Sequence, residues 1–315
     1  MPELPEVETV RSGLASLVLD ATLNSVEVRR DSCVRLMPGG ADQFTAMLTG
    51  SSIVAVARRG KFMWCELRMP GEAADAPPAE VLSAHLGMSG QFRVYEASVA
   101  AAPPPHSHCR VRLGLRRADS TELTVDFLDQ RTFGYLTVEP TVGTSDGHAA
   151  GAGTIHDVLP TSVAHIGRDA LDPWLDTDAA LRAMRRGSRG IKQVLLDQTV
   201  VSGIGNIYAD EALWAARIHP ERPARTLSRP MAAGLLKVAQ SVMSAALTQG
   251  GTSFDSLYVN VNGESGYFSR ALNAYGRGGE PCDRCGTPLT RHSIGGRATH
   301  WCAQCQRKWA PRSTR

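Results

Sequence analysis

The sequence contains no run approaching the roughly 18 uninterrupted apolar residues that a membrane helix needs. Its first ten residues, MPELPEVETV, carry three acids and no basic cluster, which is not the form of a secretory signal and points to the cytoplasm. Charge is also sparse. Asp, Glu, Lys and Arg make up 21% of the 315 residues, too few for a disordered polyelectrolyte, so most of the length is expected to pack. Neither an internal repeat nor a long low-complexity tract occurs. What remains is an ordinary globular composition, 43% hydrophobic and long enough for about two domains.

The charge that is present is unevenly placed. Residues 277–315 hold eight Lys or Arg against Glu280 and Asp283, a net of +6, whereas the other 276 residues hold 26 bases and 29 acids, a net of −3. A basic end on a slightly acidic body suggests a polyanionic partner, nucleic acid or a membrane surface. The seven cysteines are uneven too. Cys33, Cys65 and Cys109 stand singly in apolar or strand-like surroundings, where a free Cys is usually a small buried hydrophobe. Cys282, Cys285, Cys302 and Cys305 form two Cys-x2-Cys pairs sixteen residues apart, the spacing of a structural zinc site. Two disulfides would fit an intracellular chain poorly. Between the pairs, TRHSIGGRATHW fits a β-hairpin whose tip projects Arg297, either as a solvated turn residue or as a contact to phosphate.

Along the chain, residues 3–19 read as a helix, with Val7, Val10, Leu14 and Val18 at helical spacing. Short alternating or β-rich runs follow at 22–30, 52–58, 62–67, 81–86, 91–95, 110–115, 122–127 and 135–138, interrupted by a helical stretch at 41–48. Pro/Ala/Gly-rich segments at 70–79 and 97–105 read as surface loops. Many short strands with such turn signals predict a sandwich or barrel-like first domain. The segment 141–153, TVGTSDGHAAGAG, has the composition of a flexible connector. Beyond it the periodicity becomes helical at 177–186, 191–198, 207–216 and 228–248, an α+β pattern or two separate domains.

The amino terminus carries its own chemistry. Initiator Met is generally removed ahead of a small residue, which would expose Pro2 as a secondary amine. An α-amine titrates near pH 8, against about 10.4 for Lys, so its nucleophilic fraction near neutrality is roughly a hundredfold larger. A helix start lowers the pKa further. Attack on an aldehyde-level carbon gives an iminium that is permanently cationic, an electron sink suited to elimination. Glu3 and Glu6 supply carboxylates for acid/base work. The plainer reading is structural, since proline costs nothing at a helix start.

Several segments, in order along nearly the whole chain, resemble the bacterial formamidopyrimidine-DNA glycosylases of the Fpg/Nei family. They are PELPEVETV, RRGKF at 58–62, HLGMSG at 85–90, DQRTFG at 129–134, GIGNIYADEAL at 203–213, GGTSF…NGESGYF at 250–268, and the closing YGRGGEPC with its two Cys pairs. The resemblance implies an N-terminal β-sandwich with an amino-terminal helix (1–140), a linker (141–160), a helix–two-turns–helix DNA-binding domain (161–275) and a four-cysteine zinc finger with a zinc-ribbon β-hairpin (276–312). It implies a bifunctional glycosylase/AP lyase, a monomer acting on double-stranded DNA that contains oxidised bases or abasic sites, with one structural Zn²⁺ and no membrane role.

By the same resemblance Pro2 is the nucleophile and Glu3 its acid/base partner. Lys61 supports β-elimination and phosphate contact, and Arg297 supports δ-elimination. Met88, Arg131 and Phe133 fill the space left by the everted base, as apolar wedges do in kinked DNA, although without the resemblance Met88 and Phe133 read first as ordinary core. Asn206 with the following helix N-terminus holds phosphate, as does His106. The basic run Arg182, Arg185, Arg186, Arg189 and Lys192 is either a solvated face or a phosphate contact. Cys282, Cys285, Cys302 and Cys305 bind the metal. Gln130 and Thr132 stand where many relatives have Pro and Arg. PELPE rather than PEGPE favours the 8-oxoguanine branch over the Nei branch, which prefers oxidised pyrimidines. A non-catalytic zinc-ribbon DNA-binding protein is the alternative from another class. Whether the Gly- and Ser-containing segment 250–268 orders only around a flipped base is a question its composition raises and the sequence leaves open.

Overall fold

Glu3 caps the first helix, α1 (Leu4–Val18), and Pro5 sits in its first turn, where a missing N–H is harmless. Val7, Val10, Leu14 and Val18 are each no more than 2% exposed, so the spacing seen in the sequence is the buried stripe. The computed structural model describes residues 2–96, 103–250 and 272–310. Two compact units divide it, the first running to His165 and the second built from Ile166–Gln249 and residues 272–310.

In the first unit α1 is followed by β1 (Thr22–Val28), α2 (Gly40–Leu48), β2 (Ser52–Arg59), β3 (Phe62–Arg68), β4 (Glu80–His85), β5 (Gln91–Glu96), β6 (Cys109–Arg116), β7 (Glu122–Leu128), β8 (Tyr135–Gly143) and β9 (Val158–Pro160). All pair antiparallel, in the order β5-β7-β6-β1-β2-β3-β4-β8-β9. The β1–β2 pairing has a single register pair, Thr22↔Ser52, so the ladder turns a corner there and its two halves form a sandwich. Leu23, Val56, Leu82, Phe92, Val111, Phe127 and Leu136 from both halves share one core with Val10 and Phe44 of the helices. Cys33, Cys65 and Cys109 are buried as expected, and burial pushes their thiols up, to about 11 for Cys33 and about 12 for the other two.

The segment 141–153 is not a free connector. β8 continues through Gly143, and Ala152 exchanges two backbone hydrogen bonds with Arg58 of β2, at 2.9 and 3.0 Å. Gly151 and Gly153 reflect close approach: a Cβ on Gly151 would lie 2.1 Å from the Arg58 carbonyl oxygen, and one on Gly153 2.2 Å from that of Val56. The whole span read as a linker, 141–160, is therefore built into the first unit.

The second unit comprises α3 (Thr177–Met184), α4 (Ile191–Leu195), α5 (Asn206–Ala216), α6 (Arg229–Thr248) and the hairpin β10 (Thr290–Ile294) with β11 (Arg297–Trp301). α4 ends three residues before the sequence suggests, because the Gln198 side chain turns back to the carbonyls of Leu196 and Ile204, both at 3.0 Å. Ser228 caps α6, whose Ala232, Leu235, Leu236, Ala239 and Met243 form a buried stripe. That helix is long and apolar enough, by length and composition, to cross a membrane, with a mean hydropathy of 1.2, and it packs on α5. Gly295 and Gly296, at φ +59° and +75°, form the two-residue hairpin turn that only such residues enter without strain.

Candidate functional site

Pro2 is buried, and Glu3 and Glu6 are each 3% exposed. The Glu6 carboxylate accepts the Glu3 N–H at 2.9 Å, which fixes the first turn of α1 and leaves the chain start one residue ahead of a helix N-terminus. Lys61, 8% exposed, occupies the two-residue turn between β2 and β3. Gly60 precedes it at φ +58°, the position where such a turn demands glycine.

One arginine ties these elements together. Arg58 donates to the Glu8 carboxylate on α1 at 2.8 Å and to the Gly60 carbonyl in the Lys61 turn at 3.0 Å. Arg11 adds a forked contact to Glu8, at 3.0 and 2.7 Å, and reaches the Val56 carbonyl of β2 at 3.0 Å. Burial alone would raise the Glu8 carboxyl, but the hydrogen bonds and charges of Arg11 and Arg58 outweigh it and hold the group below the usual carboxylate range. The element bearing Pro2 and Glu3 is thus locked to the turn bearing Lys61.

His85 extends the site toward the HLGMSG segment. Its ring stacks on Tyr135, with centroids 5.3 Å apart, and touches Phe62. Burial, then the positive charges of Arg35 and Lys61, lower its pKa, so the ring is neutral near pH 7 and Nδ1 accepts the Gly87 N–H at 3.2 Å. Just beyond, Met88 and Phe133 are 44% and 56% exposed, so neither is core. The exposed Arg131 sets its Nη1 3.6 Å from the Met88 sulfur. The structure therefore gathers Met88, Arg131 and Phe133 into one exposed cluster. His106 is exposed in the turn before β6, its Nδ1 accepting the His108 N–H at 3.0 Å.

Asn206 and Arg297 belong to the second unit. Arg297 opens β11 and is exposed. Along with Arg189, Lys192, Gln193 and Asp197 it lines a groove of about 330 Å³. Asn206 directs one side-chain N–H to the Ala298 carbonyl at 2.9 Å, a link between α5 and β11 that leaves its second amide proton for a ligand. One assignment suggested by the sequence changes here. Lys192 is not part of a solvated basic face. It is fully buried, 2.7 Å from Asp210, and donates to Thr299 Oγ1 at 2.8 Å and the Ala298 carbonyl at 3.2 Å. Asp210 in turn accepts the His300 N–H at 2.9 Å. Of the basic run, Arg182, Arg186 and Arg189 remain exposed, while Arg185 donates to the Leu227 carbonyl.

This pair was not legible in the sequence: IYADEALWA carries two adjacent acids, Asp210 and Glu211, and only the structure shows that Asp210 is the one paired with a cation. Lys192→Met is expected to destabilise the protein by about 3–5 kcal/mol, because it strands the Asp210 charge in the interior. A denaturant titration should show this, with part of the loss recovered in Lys192→Met/Asp210→Leu. A midpoint unchanged in the single variant would refute the pairing.

Glu211, also missed from the sequence, is 2% exposed and accepts the backbone N–H groups of Asn273, Ala274 and Tyr275 at 2.8–3.1 Å. It anchors the chain leading into the cysteine module. There the four Sγ atoms of Cys282, Cys285, Cys302 and Cys305 lie within 4.8 Å of one another, with Cys285 3.5 Å from both Cys302 and Cys305. Tetrahedral Zn–S bonds of about 2.3 Å place sulfurs roughly 3.8 Å apart, so the set fits one zinc ion with no open position. Trp214 Nε1 points at Cys282 Sγ at 3.4 Å and the Cys305 N–H at Cys302 Sγ at 3.4 Å, donors suited to thiolates. Segment 250–268, apart from Gly250, lies outside the described residues.

Residues 1–136 match the family described as the formamidopyrimidine-DNA glycosylase N-terminal domain, 166–257 its H2TH domain, and 279–307 a zinc finger found in FPG and IleRS. The formamidopyrimidine-DNA glycosylase of Leifsonia xyli subsp. xyli is 50% identical over 307 residues, covering 98% of this chain and 100% of that protein. That of Corynebacterium diphtheriae is 47% identical, with 97% and 99% covered. Among solved structures, Lactococcus lactis Fpg in complex with DNA containing an abasic site aligns with a TM-score of 0.75 at 28% identity, covering 98% of this chain and 100% of that one. The MutM (Fpg) protein from Thermus thermophilus aligns at 0.74 and 33% identity with the same coverage. Fold, cysteine module and amino-terminal site together define a zinc-finger DNA glycosylase. The chain belongs to the formamidopyrimidine-DNA glycosylase family.

Proposed function

We propose that this protein excises oxidised purines, 8-oxoguanine and formamidopyrimidines, from duplex DNA and then cuts the strand, with Pro2 as the nucleophile. The observation that carries the reading is the burial of Pro2, Glu3 and Lys61 on elements that Arg58 and Glu8 lock together. Once Met1 is removed, the Pro2 nitrogen attacks C1′ of the damaged nucleotide. A C–N bond forms, the glycosidic bond breaks, and the base leaves with the bonding electrons and a proton. The sugar ring opens to an iminium, which draws electrons from the C2′–H bond. A base takes that proton and the 3′ phosphate departs in β-elimination; a second elimination at C4′ releases the 5′ phosphate.

Glu3 is positioned to exchange protons at the sugar. Lys61, held in a dry turn, is the cation for phosphate and for β-elimination. Arg297 is the corresponding group for the δ step, and its exposure at the head of β11 leaves it available to a phosphate. Met88, Arg131 and Phe133 enter the stack vacated by the base, whose eversion costs a few kcal/mol. Their exposure supports this, since an apolar side chain held in water gains when it is covered by bases. His106, Asn206, Arg182, Arg186 and Arg189 remain for phosphate, while the buried Lys192 acts from behind as a strut. The protein works as a monomer on double-stranded DNA in the bacterial cytoplasm, associated with the nucleoid while bound.

Borohydride reduction during turnover tests the covalent step. Incubation with a duplex carrying 8-oxoguanine opposite cytosine should yield a protein–DNA adduct at Pro2, identified by peptide mass spectrometry. An active preparation that gives no adduct would rule the mechanism out, and strand-intact binding alone would favour the non-catalytic reading. Running thymine glycol beside 8-oxoguanine separates the Nei-like preference. Better trapping on the pyrimidine would reverse the assigned specificity.

A further inference from the structure

We infer that Asp129 and Ser89 are positioning residues that hold Met88, Arg131 and Phe133 as one pre-formed wedge. The inference rests on the wedge reading above and assigns a part to two residues that do not touch the base stack themselves.

Asp129 is 0% exposed, yet no lysine or arginine side chain donates to its carboxylate among the described contacts. A buried carboxylate of this kind is costly unless several donors converge on it. Here they come from two loops. Ser89, next to Met88, donates its hydroxyl to Oδ1 at 2.5 Å. The Arg131 N–H approaches the same oxygen at 3.2 Å and Ser89 Oγ at 3.1 Å. The Gly134 N–H, just after Phe133, donates to Oδ2 at 2.7 Å. One side chain therefore fixes the backbone on both flanks of the 131–133 tip and links it to the loop that carries Met88.

The surroundings show why a rigid hub is needed. Thr132, between the two wedge residues, has φ +58°, a left-handed conformation that a β-branched residue resists. Gly87 brings the two loops into backbone contact: a Cβ there would lie 2.6 Å from the Gly134 nitrogen. Arg35 clamps the other side, donating to the carbonyls of Gly134 at 2.9 Å and Phe133 at 3.1 Å. The hub beneath the wedge, Asp129 with Ser89 and Gly134, is buried and hydrogen-bonded, while the three tips stand in solvent. Tips so held need no ordering when they enter a duplex, and that is the step at which the pair acts.

The test compares two substrates. Excision of 8-oxoguanine from a duplex requires the base to be everted and the gap filled. Cleavage of a single-stranded oligonucleotide at an existing abasic site requires neither. Ser89→Ala and Asp129→Asn should slow duplex excision by roughly tenfold or more, since misplacement by about an ångström can cost a hundredfold. Single-strand cleavage should stay within about twofold. Phe133→Ala is the control for the wedge itself. On a Phe133→Ala background the Ser89→Ala change should add little, because both act through the same contact.

Equal losses on both substrates, or additive losses in the double variant, would overturn the inference and leave the pair a general stabiliser. If Phe133→Ala slows duplex excision and Ser89→Ala does not, the wedge stands and its positioning by this pair is wrong. If Phe133→Ala has no effect on duplex excision, the wedge reading fails first. Should Asp129→Asn not fold, Ser89→Ala decides alone, as it leaves both backbone donors on the carboxylate.

Discussion

Pro2→Gly is expected to cut strand cleavage at abasic sites by roughly a hundredfold or more, with duplex affinity little changed. The substitution keeps an amino-terminal amine but makes it primary. A primary amine gives an imine that can lose its proton and with it the positive charge, whereas the proline adduct cannot. Glycine also frees the backbone one residue before α1, where Glu3 and Glu6 fix the first turn, so the amine no longer holds one direction. A second readout needs no mutation. Met1 turns the proline nitrogen into an amide without a nucleophilic lone pair, so specific activity should scale with the fraction of chains that begin at Pro2, measured by intact-mass spectrometry. Full activity in chains that retain Met1, or unchanged nicking by Pro2→Gly, would assign the nucleophile elsewhere.

Removal of zinc is expected to abolish duplex binding while the first unit still melts cooperatively. Four thiolates around Zn²⁺ supply an apparent free energy of about 10–16 kcal/mol at neutral pH, far more than the small apolar cluster of Trp214, Ala274, Cys282, Leu289 and Cys302 can provide without the ion. Without the metal the β10–β11 hairpin loses its base and Arg297 its place. The sandwich has a separate core and no ligand in this site. Calorimetry of the chelated protein should retain one transition and lose another, while an electrophoretic shift on lesion duplex disappears. A single transition that vanishes completely with chelator would show that the two units do not fold independently. Cys302→Ser should reproduce the chelated state without chelator.

How far the site was legible depended on whether its geometry is local. RRGKF contains its own turn: Gly60 takes the positive φ, and Lys61 follows at the tip. The paired cysteines and the two hairpin glycines are likewise local, and they were readable by spacing. The exposure of Met88 and Phe133 was not decidable from their apolar character, because it depends on Asp129 and Gly87 holding the loops outward. The glycines of 141–153 looked like a mobile connector, although Gly151 and Gly153 mark close contact with the backbone of β2.

Lys192 is the sharpest case. In sequence it closes a basic run, yet it bonds Thr299 at a separation of 107 positions and pairs with Asp210 in the interior. Asn206 similarly turns to Ala298, 92 positions away. The amino-acid sequence by itself determined the elements, the turns and the kinds of chemistry on offer: an amino-terminal amine, carboxylates, a lysine at a hairpin tip and four zinc thiolates. Those properties reside in single residues or short spacings. Which charges lie buried as struts and which stand free to meet a phosphate was decided only by tertiary structure, because desolvation depends on every residue packed around a group.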